Sequence, residues 1–228
     1  WEGQDSNFDN APTGRSTIAN NMFIGGDDGL YLDDCEEIDI FHNTTSAADY
    51  GIFLNDDVNL DIRNNIFTSN GGDYAFYSTD NSATMTLDYN VYYTSGANLA
   101  YYSTGYTDLA AFQAGQITLN TNSLAGDPLF NNPTADLHVS GNIANDAGDN
   151  TVGITVDIDG DTRPLAPSTT VDIGANEYAP PSCILPGSLV SSAATSNSFL
   201  ATWTEGATAT QWEVEWDTLG SVSYTHLT

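Results

Sequence analysis

Aspartates recur at two matching places in a repeated unit of this sequence, and carboxylate oxygens are the ligands that calcium prefers. The two sets are Asp34, Asp56 and Asp80, and Asp27, Asp49 and Asp73. If the units stack at the strand spacing of about 4.8 Å, neighbouring carboxylates repel each other by about 0.8 kcal/mol even in bulk water. Such a column must point into solvent, raise the pKa of a carboxyl group or hold a cation. Bridging calcium ions and solvated turn aspartates are both open interpretations.

A third acidic cluster lies further along the chain, where residues 157–161 have the sequence Asp-Ile-Asp-Gly-Asp. Carboxylates at alternate positions are typical of calcium-binding loops. The candidate ligands are Asp157, Asp159 and Asp161. No glutamate follows at the spacing of a complete loop of that class. The structural alternative is that Arg163 pairs with Asp172 or Glu177 and closes the last coil.

Aromatic residues also recur, one within the second strand pattern of each unit. They are Tyr31, Phe53, Tyr77 and Tyr102. In an alternating strand these rings lie on the outer face of the sheet, one above the other. Such rings can bind the apolar faces of sugars, or they can merely stabilise the sheet. An acidic surface beside them suits neutral glycans better than uronates, unless calcium bridges the charge.

The sequence offers little for catalysis, and we assign no catalytic residue. It contains no lysine, and Arg63, one of three arginines, aligns with Asp88 of the next unit, which predicts an exposed ion pair. Adjacent aspartates such as Asp33 and Asp34 are expected by chance in a chain this rich in aspartate. His42 occupies a position that accepts any polar residue, which favours a structural role at a corner. No zinc-binding spacing, nucleophile elbow or phosphate-binding loop is present.

The element that must position these side chains is a repeat of 22, 22 and 25 residues that is marked by asparagines. The marked positions are Asn21, Asn43, Asn65 and Asn90. Repeats of this length indicate stacked units, each too small to bury its own apolar face. Short alternating runs such as Leu-Asp-Ile at 60–62 are strand patterns, and no helix pattern separates them. The sequence therefore predicts an all-β fold, a right-handed parallel β-helix, whose asparagines stack as a ladder at left-handed corners.

The charge of the chain excludes several classes of function. The 228 residues include 31 acidic and three basic side chains, and the formal net charge is −28. Proteins that bind nucleic acids or anionic membranes do so through clustered lysine and arginine, so we expect neither partner. No apolar run predicts insertion into a membrane, and we expect a monomer.

The composition divides the chain into a β-helix at 1–178, a linker at 179–183 and a second domain at 184–228. Within the β-helix, Thr107 is the candidate N-cap and Gly115 the candidate C′ residue of a short inserted helix. In the second domain, two alternating runs at 198–204 and 211–216 predict sandwich strands. The tail at 223–228 does not continue that pattern and is a candidate sequencing artefact.

Residues 18–178 resemble the end of a secreted bacterial right-handed parallel β-helix protein. The resemblance depends on the asparagine-bearing coils and on blocks at 106–112, 127–130, 157–164 and 171–178. Residues 183–219 resemble the first half of a fibronectin type III domain, with Trp203 as its core tryptophan. Too few residues remain for the complete sandwich. The resemblance implies a secreted or cell-surface bacterial protein that contacts polysaccharide, and it does not imply an enzyme.

Three functional hypotheses follow. The first is a non-catalytic secreted or cell-surface module that binds glycans or mediates adhesion, with a polysaccharide or cell-surface glycan as partner and calcium as the one cofactor considered. The second is the C-terminal part of a polysaccharide lyase or glycoside hydrolase whose active coils lie upstream. The third is a structural spacer.

Overall fold

A computed structural model describes residues 14–79, 85–140 and 143–178, together with four strands nearer the C-terminus. Contacts within the chain divide it into two compact units, Trp1–Tyr178 and Ala179–Thr228. The first unit is a parallel β-solenoid of about four coils, and nearly all of its regular structure is strand.

Each coil contributes one strand to each of three sheets, so equivalent strands lie side by side along the stack. Sheet A contains β1 (Ser16–Ala19), β4 (Ile38–Phe41), β7 (Leu60–Arg63) and β10 (Met85–Asp88). Sheet B contains β2 (Met22–Ile24), β5 (Thr44–Ala47), β8 (Ile66–Ser69), β11 (Val91–Thr94) and β14 (Leu124–Ala125). Sheet C contains β3 (Asp28–Asp33), β6 (Tyr50–Asn55), β9 (Phe76–Ser78), β12 (Ala100–Tyr102) and β13 (Thr104–Tyr106). All neighbours pair in parallel except β12 and β13. The β-solenoid that the repeat predicted is confirmed.

The corner between sheet A and sheet B uses one left-handed residue in every coil. These residues are Asn20, His42, Asn64 and Tyr89, with φ angles of 55°, 53°, 60° and 54°. They lie one position before the repeated asparagines, so those asparagines do not supply the left-handed angles, contrary to the sequence-based expectation. Asparagine and histidine adopt this conformation more readily than most residues, and the histidine of the second coil is fully buried.

The repeated asparagines form a hydrogen-bonded column along the stack, here called the asparagine ladder. The Asn21 side chain donates to Asn43 Oδ1 at 2.9 Å, and the Asn43 side chain donates to Asn65 Oδ1 at 3.1 Å. The Asn65 side chain donates to Asn90 Oδ1 at 3.0 Å. Each accepting oxygen also receives the backbone N–H of the preceding ladder residue. Because Asn43, Asn65 and Asn90 have no exposed surface, water does not compete for these bonds.

Inside the coils, apolar side chains of successive strands stack into continuous columns. In sheet A the column consists of Ile18, Ile40, Ile62 and Leu87. Ile40 and Ile62 are fully buried, as are Phe67 and Phe76 from the other two sheets. Burying one such side chain contributes about 2 kcal/mol, so the shared interior is what holds units of this size together.

One short helix, α1 (Leu109–Gly115), interrupts the solenoid where the sequence predicted it. Its N-cap is Asp108 rather than Thr107, and the Asp108 carboxylate accepts a backbone N–H from the first turn. Phe112 is fully buried, with its ring centroid 5.7 Å from that of Phe76. The helix thereby adds a side chain to the interior core.

Residues 127–178, here called the return segment, pack against the outer face of sheet B instead of adding coils. The segment contains an antiparallel hairpin of β15 (Phe130–Asn132) and β16 (Asp136–Val139) and a short 3-10 helix at Asn150–Val152. A second buried cluster forms between sheet B and this segment, consisting of Ile66, Val91, Val139, Ala144 and Ile173. As a result, β5 and β8 are buried along their whole length.

Hydrogen bonds hold the return segment on the corners of the coils. Asn20 of the first coil donates to Val156 O at 2.7 Å. At the third coil, the N–H of Gly174 donates to Asn64 O at 2.8 Å. The segment therefore spans several coils along one side of the stack.

A buried ion pair strengthens this attachment. Arg163 donates to Glu177 Oε1 at 2.6 Å, and neither side chain is more than 1 % exposed. Arg163 also donates to Asn20 Oδ1 at 3.2 Å. The ion pair predicted for Arg163 is confirmed with Glu177 as its partner, but it fastens the return segment to the first coil and does not close a last coil.

The second unit contains two antiparallel strand pairs. They are β17 (Gly187–Ser192) with β18 (Leu200–Thr204), and β19 (Gln211–Trp216) with β20 (Val222–Leu227). Both predicted strands are among them. The tail at 223–228 contributes most of β20, and its origin as a sequencing artefact stays a prediction. The linker predicted at 179–183 lies outside the described residues.

Replacing Asn65 with alanine should lower the free energy of unfolding by about 3 kcal/mol, because it leaves the buried backbone N–H of Asn43 without its partner and removes further buried hydrogen bonds. These join the Asn65 side chain to the Asn43 side chain, to Ile40 O and to Asn90 Oδ1. Urea unfolding measures the loss. Asn131→Ala removes a weak exposed hydrogen bond and should cost less than about 0.5 kcal/mol. Equal losses in the two variants would contradict a stabilising role for the ladder.

His42 is a buried neutral histidine held between the third coil and the return segment. Its Nε2 accepts from the Asn64 side chain at 3.0 Å, and its Nδ1 donates to Gly174 O at 3.3 Å. Burial, and then the nearby Arg163 guanidinium, lower the pKa of His42 to about 3. The pKa of histidine in an unfolded chain is about 6.5. Between these values only the unfolded chain binds the proton, so His42 makes the fold less stable as the pH falls.

The His42→Asn variant should lose less stability on acidification than the wild type, because asparagine does not titrate and already occupies this corner at Asn20 and Asn64. Between about pH 7 and about pH 5, the wild type should lose about 2 kcal/mol more than the variant. Denaturant unfolding at the two pH values measures the difference.

His138→Asn is the matched control for this experiment. Burial alone would lower the pKa of His138, but its hydrogen bonds to Asp136 and Asp159 raise it. The stability that His138 contributes is therefore present at low pH and lost as the pH rises, so its removal should weaken the fold in acid. If the His42 variant tracked the wild type at both pH values, a neutral buried His42 would be contradicted.

Candidate functional site

Four aromatic side chains stack along the outer face of sheet C, one from each coil. They are Tyr31, Phe53, Tyr77 and Tyr101, here called the aromatic ladder. Successive ring centroids are 4.9, 5.0 and 4.7 Å apart, and the ring planes differ by 15° or less. Atoms in van der Waals contact are about 3.5–4.0 Å apart, so near-parallel rings at these centroid distances are offset. Each ring therefore leaves part of one face uncovered.

The fourth ring of this ladder is Tyr101, and the assignment of Tyr102 to the outer column is wrong. Parallel pairing aligns Tyr101 with Tyr77, and Ala100 with Phe76. Tyr102 faces inward, is 8 % exposed and belongs to the interior core. A one-residue change of register moves every side chain to the opposite face of a sheet, and similar alanines in the third and fourth coils suggested the wrong register.

A second row of rings lies beside the aromatic ladder. Tyr50 and Tyr74 have ring centroids 6.3 Å apart, and Tyr50 lies 4.8 Å from Tyr77. Tyr74 lies 5.4 Å from Tyr77 and 5.9 Å from Tyr101. These two rows form a surface of six half-buried rings, here called the aromatic surface. Sequence reasoning missed the second row, although its signal was present: each of its tyrosines lies three residues before a ladder ring.

A row of hydrogen-bonding side chains follows the aromatic ladder on one side. Asn55 donates to Asp33 Oδ1 at 2.7 Å, and the Thr79 hydroxyl donates to Asn55 Oδ1 at 2.6 Å. Asp33 and Asn55 lie two positions after ladder rings, so they share the outer face of sheet C. Carboxylate, amide and hydroxyl oxygens have more than one lone pair, and this polar row can accept further hydrogen bonds from a ligand.

Four aspartates border the second row of rings on the other side. They are Asp27, Asp28, Asp49 and Asp73, here called the acidic edge. Asp28 pairs in register with Tyr50 on the next strand, which places the two residues about 4.8 Å apart. Burial raises the pKa of the Tyr50 phenol, and carboxylates of the acidic edge, Asp73 foremost, raise it further. The negative field of the edge therefore reaches the aromatic surface.

The other predicted acidic column lies at the corner that follows sheet C. Asp34 and Asp56 are exposed and have left-handed φ angles of 55° and 54°. Asp80 lies outside the described residues. Within the described ranges, no group of three or more histidine, cysteine, aspartate or glutamate side chains is arranged to hold a metal ion. Calcium binding by either column stays a prediction.

The third candidate cluster is a turn of the return segment that is closed by its own backbone. The Asp157 carboxylate accepts the N–H groups of Asp159 and Asp161 at 2.9 Å each, and that of Glu177 at 2.8 Å. Asp159 lies 2.9 Å from His138 Nε2. These contacts favour the structural interpretation of the turn.

The two arginines of the coils are engaged in ion pairs outside the aromatic surface. Arg15 pairs with two carboxylates of the second coil. Arg63 pairs with Asp61 at 2.6 Å and with Asp149 at 2.7 Å. It aligns with Asp88 as expected, but the ion pair predicted between them is replaced by these two.

Comparison with known protein families gives a match to the coils. Residues 7–126, more than half of the chain, match the sequence pattern of a family described as periplasmic copper-binding protein (NosD). No curated protein and no solved structure matches the chain significantly. Among the described residues, no helix is both long enough and apolar enough to cross a membrane.

The thiol and imidazole groups of the described residues form no site for the copper that this family description names. Copper prefers thiolate, thioether and imidazole ligands. The Cys35 thiol donates to Asp33 O at 3.4 Å, and both ring nitrogens of His42 are engaged inside the fold. His138 lies in the return segment between two aspartates. These groups belong to separate parts of the fold and do not converge.

Tyr101→Ala and Tyr102→Ala should differ in stability, because only the loss of Tyr102 opens a cavity in the interior core. We expect a loss of about 4 kcal/mol for Tyr102→Ala and about 1 kcal/mol for Tyr101→Ala, which removes one stacked ring. Chemical denaturation of both variants measures the losses. A larger loss for Tyr101→Ala would contradict the register described here.

Proposed function

Because the chain belongs to the NosD family, described as periplasmic copper-binding proteins, we propose that it is a non-catalytic module of the bacterial cell envelope. Its aromatic surface binds glycan chains that carry no negative charge, and through them it adheres to a polysaccharide or a cell-surface glycan.

The aromatic ladder is the observation that carries this proposal. Its offset rings present partial faces and edges to solvent, and the apolar faces of sugar rings pack well against such surfaces. One ring recurs per coil at separations of 4.7–5.0 Å. A polymer lying along the stack can contact several rings at once, and linked weak contacts then act together as one stronger interaction.

The polar row explains why a carbohydrate suits this surface better than a purely apolar ligand. Asp33, Asn55 and Thr79 present oxygen atoms beside the rings. Ligand sites typically combine apolar contact with a few fixed polar groups that orient the ligand. A sugar ring offers an apolar face and hydroxyl groups at its rim, so it can use both parts of the surface at once.

Charge decides which glycans are compatible. The chain has a formal net charge of −28, and the acidic edge lies directly beside Tyr50 and Tyr74. A polymer of uronates or sulfated sugars would place like charges within a few ångströms of these carboxylates, which is unfavourable at any dielectric constant. Neutral or cationic glycans avoid this cost.

The Tyr77→Ala variant should bind glycan oligomers about tenfold more weakly than the wild type, because it removes the ring that contacts both rows of the aromatic surface. Screening on a glycan array followed by calorimetry with the best oligomer measures the change. Tyr93→Ala is the matched control, since Tyr93 is a half-buried tyrosine of β11 outside the aromatic surface.

Two outcomes would count against the proposal. Equal affinities for Tyr77→Ala and Tyr93→Ala would show that the aromatic ladder is not the binding site. If the wild-type protein bound no glycan, the ladder would serve only to stabilise the sheet, and the spacer hypothesis would be favoured.

A further inference from the structure

We propose that the ligand of the aromatic surface is an amino-sugar polymer whose amino groups are free and protonated. This inference rests on the proposed function and adds a positive charge to the ligand. The amino groups lie at the acidic edge, while the sugar faces pack on the rings.

The first step in the argument is the position of the acidic edge relative to the rings. Asp28 and Tyr50 occupy equivalent positions in successive coils, and the rings of Tyr50 and Tyr74 lie against the ladder ring of Tyr77. Asp49 and Asp73 directly precede the two tyrosines in the chain. Aspartates and tyrosines are thus interleaved, along the chain and between neighbouring coils, at one margin of the surface.

The second step is that the arginines of the protein form ion pairs elsewhere. Arg15 and Arg63 pair with carboxylates of sheet A and the return segment, and Arg163 pairs with Glu177 inside the fold. These are the only arginines in a sequence without lysine. None of the ion pairs of the described residues involves the acidic edge. Its charge is therefore available to a ligand.

The third step is the ring geometry at this margin. The planes of Tyr50 and Phe53 differ by 59°, and those of Tyr50 and Tyr77 differ by 44°. The second row is therefore tilted against the ladder, and the two rows do not form one flat stack. An ammonium group over such a ring is attracted to the negative face of the ring. Neighbouring carboxylates attract the same ammonium group by Coulomb interaction.

These three features discriminate between neutral and amino sugars. A neutral sugar that covers the acidic edge removes water from the carboxylates without supplying a positive charge, so their desolvation is not compensated. An amino sugar replaces that water with an ammonium group and keeps the apolar face that packs on the ladder. A purely cationic ligand such as a lysine peptide would form ion pairs with the carboxylates. It has no flat apolar face that could pack on the rings of the aromatic ladder.

The experiment compares three ligands of equal length by calorimetry at about pH 5.5, where aspartate carboxylates and sugar amines are both charged. They are a glucosamine oligomer, an N-acetylglucosamine oligomer and a lysine oligomer. The wild type should bind the glucosamine oligomer about tenfold more tightly than the N-acetylated one. This preference should disappear at about 1 M salt, where charges are screened within a few ångströms. The lysine oligomer should bind about tenfold more weakly than glucosamine.

Two double variants test whether the acidic edge causes the preference for glucosamine. Asp49→Asn with Asp73→Asn should abolish the preference for glucosamine over N-acetylglucosamine. Asp127→Asn with Asp161→Asn removes the same charge from exposed positions in the return segment and should keep the preference. Circular dichroism and a melting curve confirm that each variant is folded before it is titrated.

The outcomes separate this inference from the proposed function. If the N-acetylated oligomer bound as tightly as glucosamine, or if both double variants kept or lost the preference together, the charge assignment would be overturned while glycan binding stood. If the lysine oligomer bound as tightly as glucosamine, the surface would select charge alone and the amino-sugar assignment would also fail. Failure of both sugars to bind would overturn the proposed function as well.

Discussion

The register between neighbouring coils is the constraint on which the rest of this structure depends. Parallel strands of similar composition can pair in several registers, and a slip by one residue turns every side chain to the other face. The asparagine ladder opposes such slips, because each buried amide finds its partner only when Asn43, Asn65 and Asn90 are in line. A misaligned coil would leave buried donors and acceptors unpaired, at a cost of about 1–3 kcal/mol each.

The return segment changes how the solenoid holds together. In most solenoids each repeat contacts only its neighbours, so stability is a sum of local terms. Here Arg163 bonds to Asn20, 143 residues earlier in the chain, and Gly174 contacts the corners of the second and third coils. A single segment is thus coupled to several coils, and we expect the coils to unfold together rather than from one end. Covering sheet B also leaves sheet C as the sheet that presents a long aromatic surface.

The sequence was sufficient to predict the solenoid and the strands of the first three coils, because spacing and alternation depend on local residue types. It was not sufficient for the fourth coil, where placing Tyr101 or Tyr102 outside depends on how the preceding loop is accommodated. The return segment was also missed as an outer layer, since its apolar residues, such as Ile173, have the same composition whether they fill a coil or cover one. Tyr50 and Tyr74 join the binding surface through a corner geometry that strand alternation does not describe.

Stacking in register places side chains of the same type next to each other, so one kind of contact is repeated from coil to coil. Whether that contact is attractive or repulsive explains where each residue type is found. Asparagine is both donor and acceptor, so a column of asparagines is favourable and can be buried. Aromatic rings attract one another weakly, so their column tolerates partial exposure. Aspartates repel at the same spacing, and they are tolerated at corners such as Asp34 and Asp56, where water and salt screen the charge. They are also tolerated beside arginines, as where Asp39 and Asp61 pair within sheet A. The acidic edge departs from this rule, because Asp28 is partly buried and burial raises its pKa, with repulsion from Asp49 and Asp27 adding to the effect. A cation supplied by a ligand would relieve that repulsion, which is the physical reason to look for a positively charged partner at this edge of the aromatic surface.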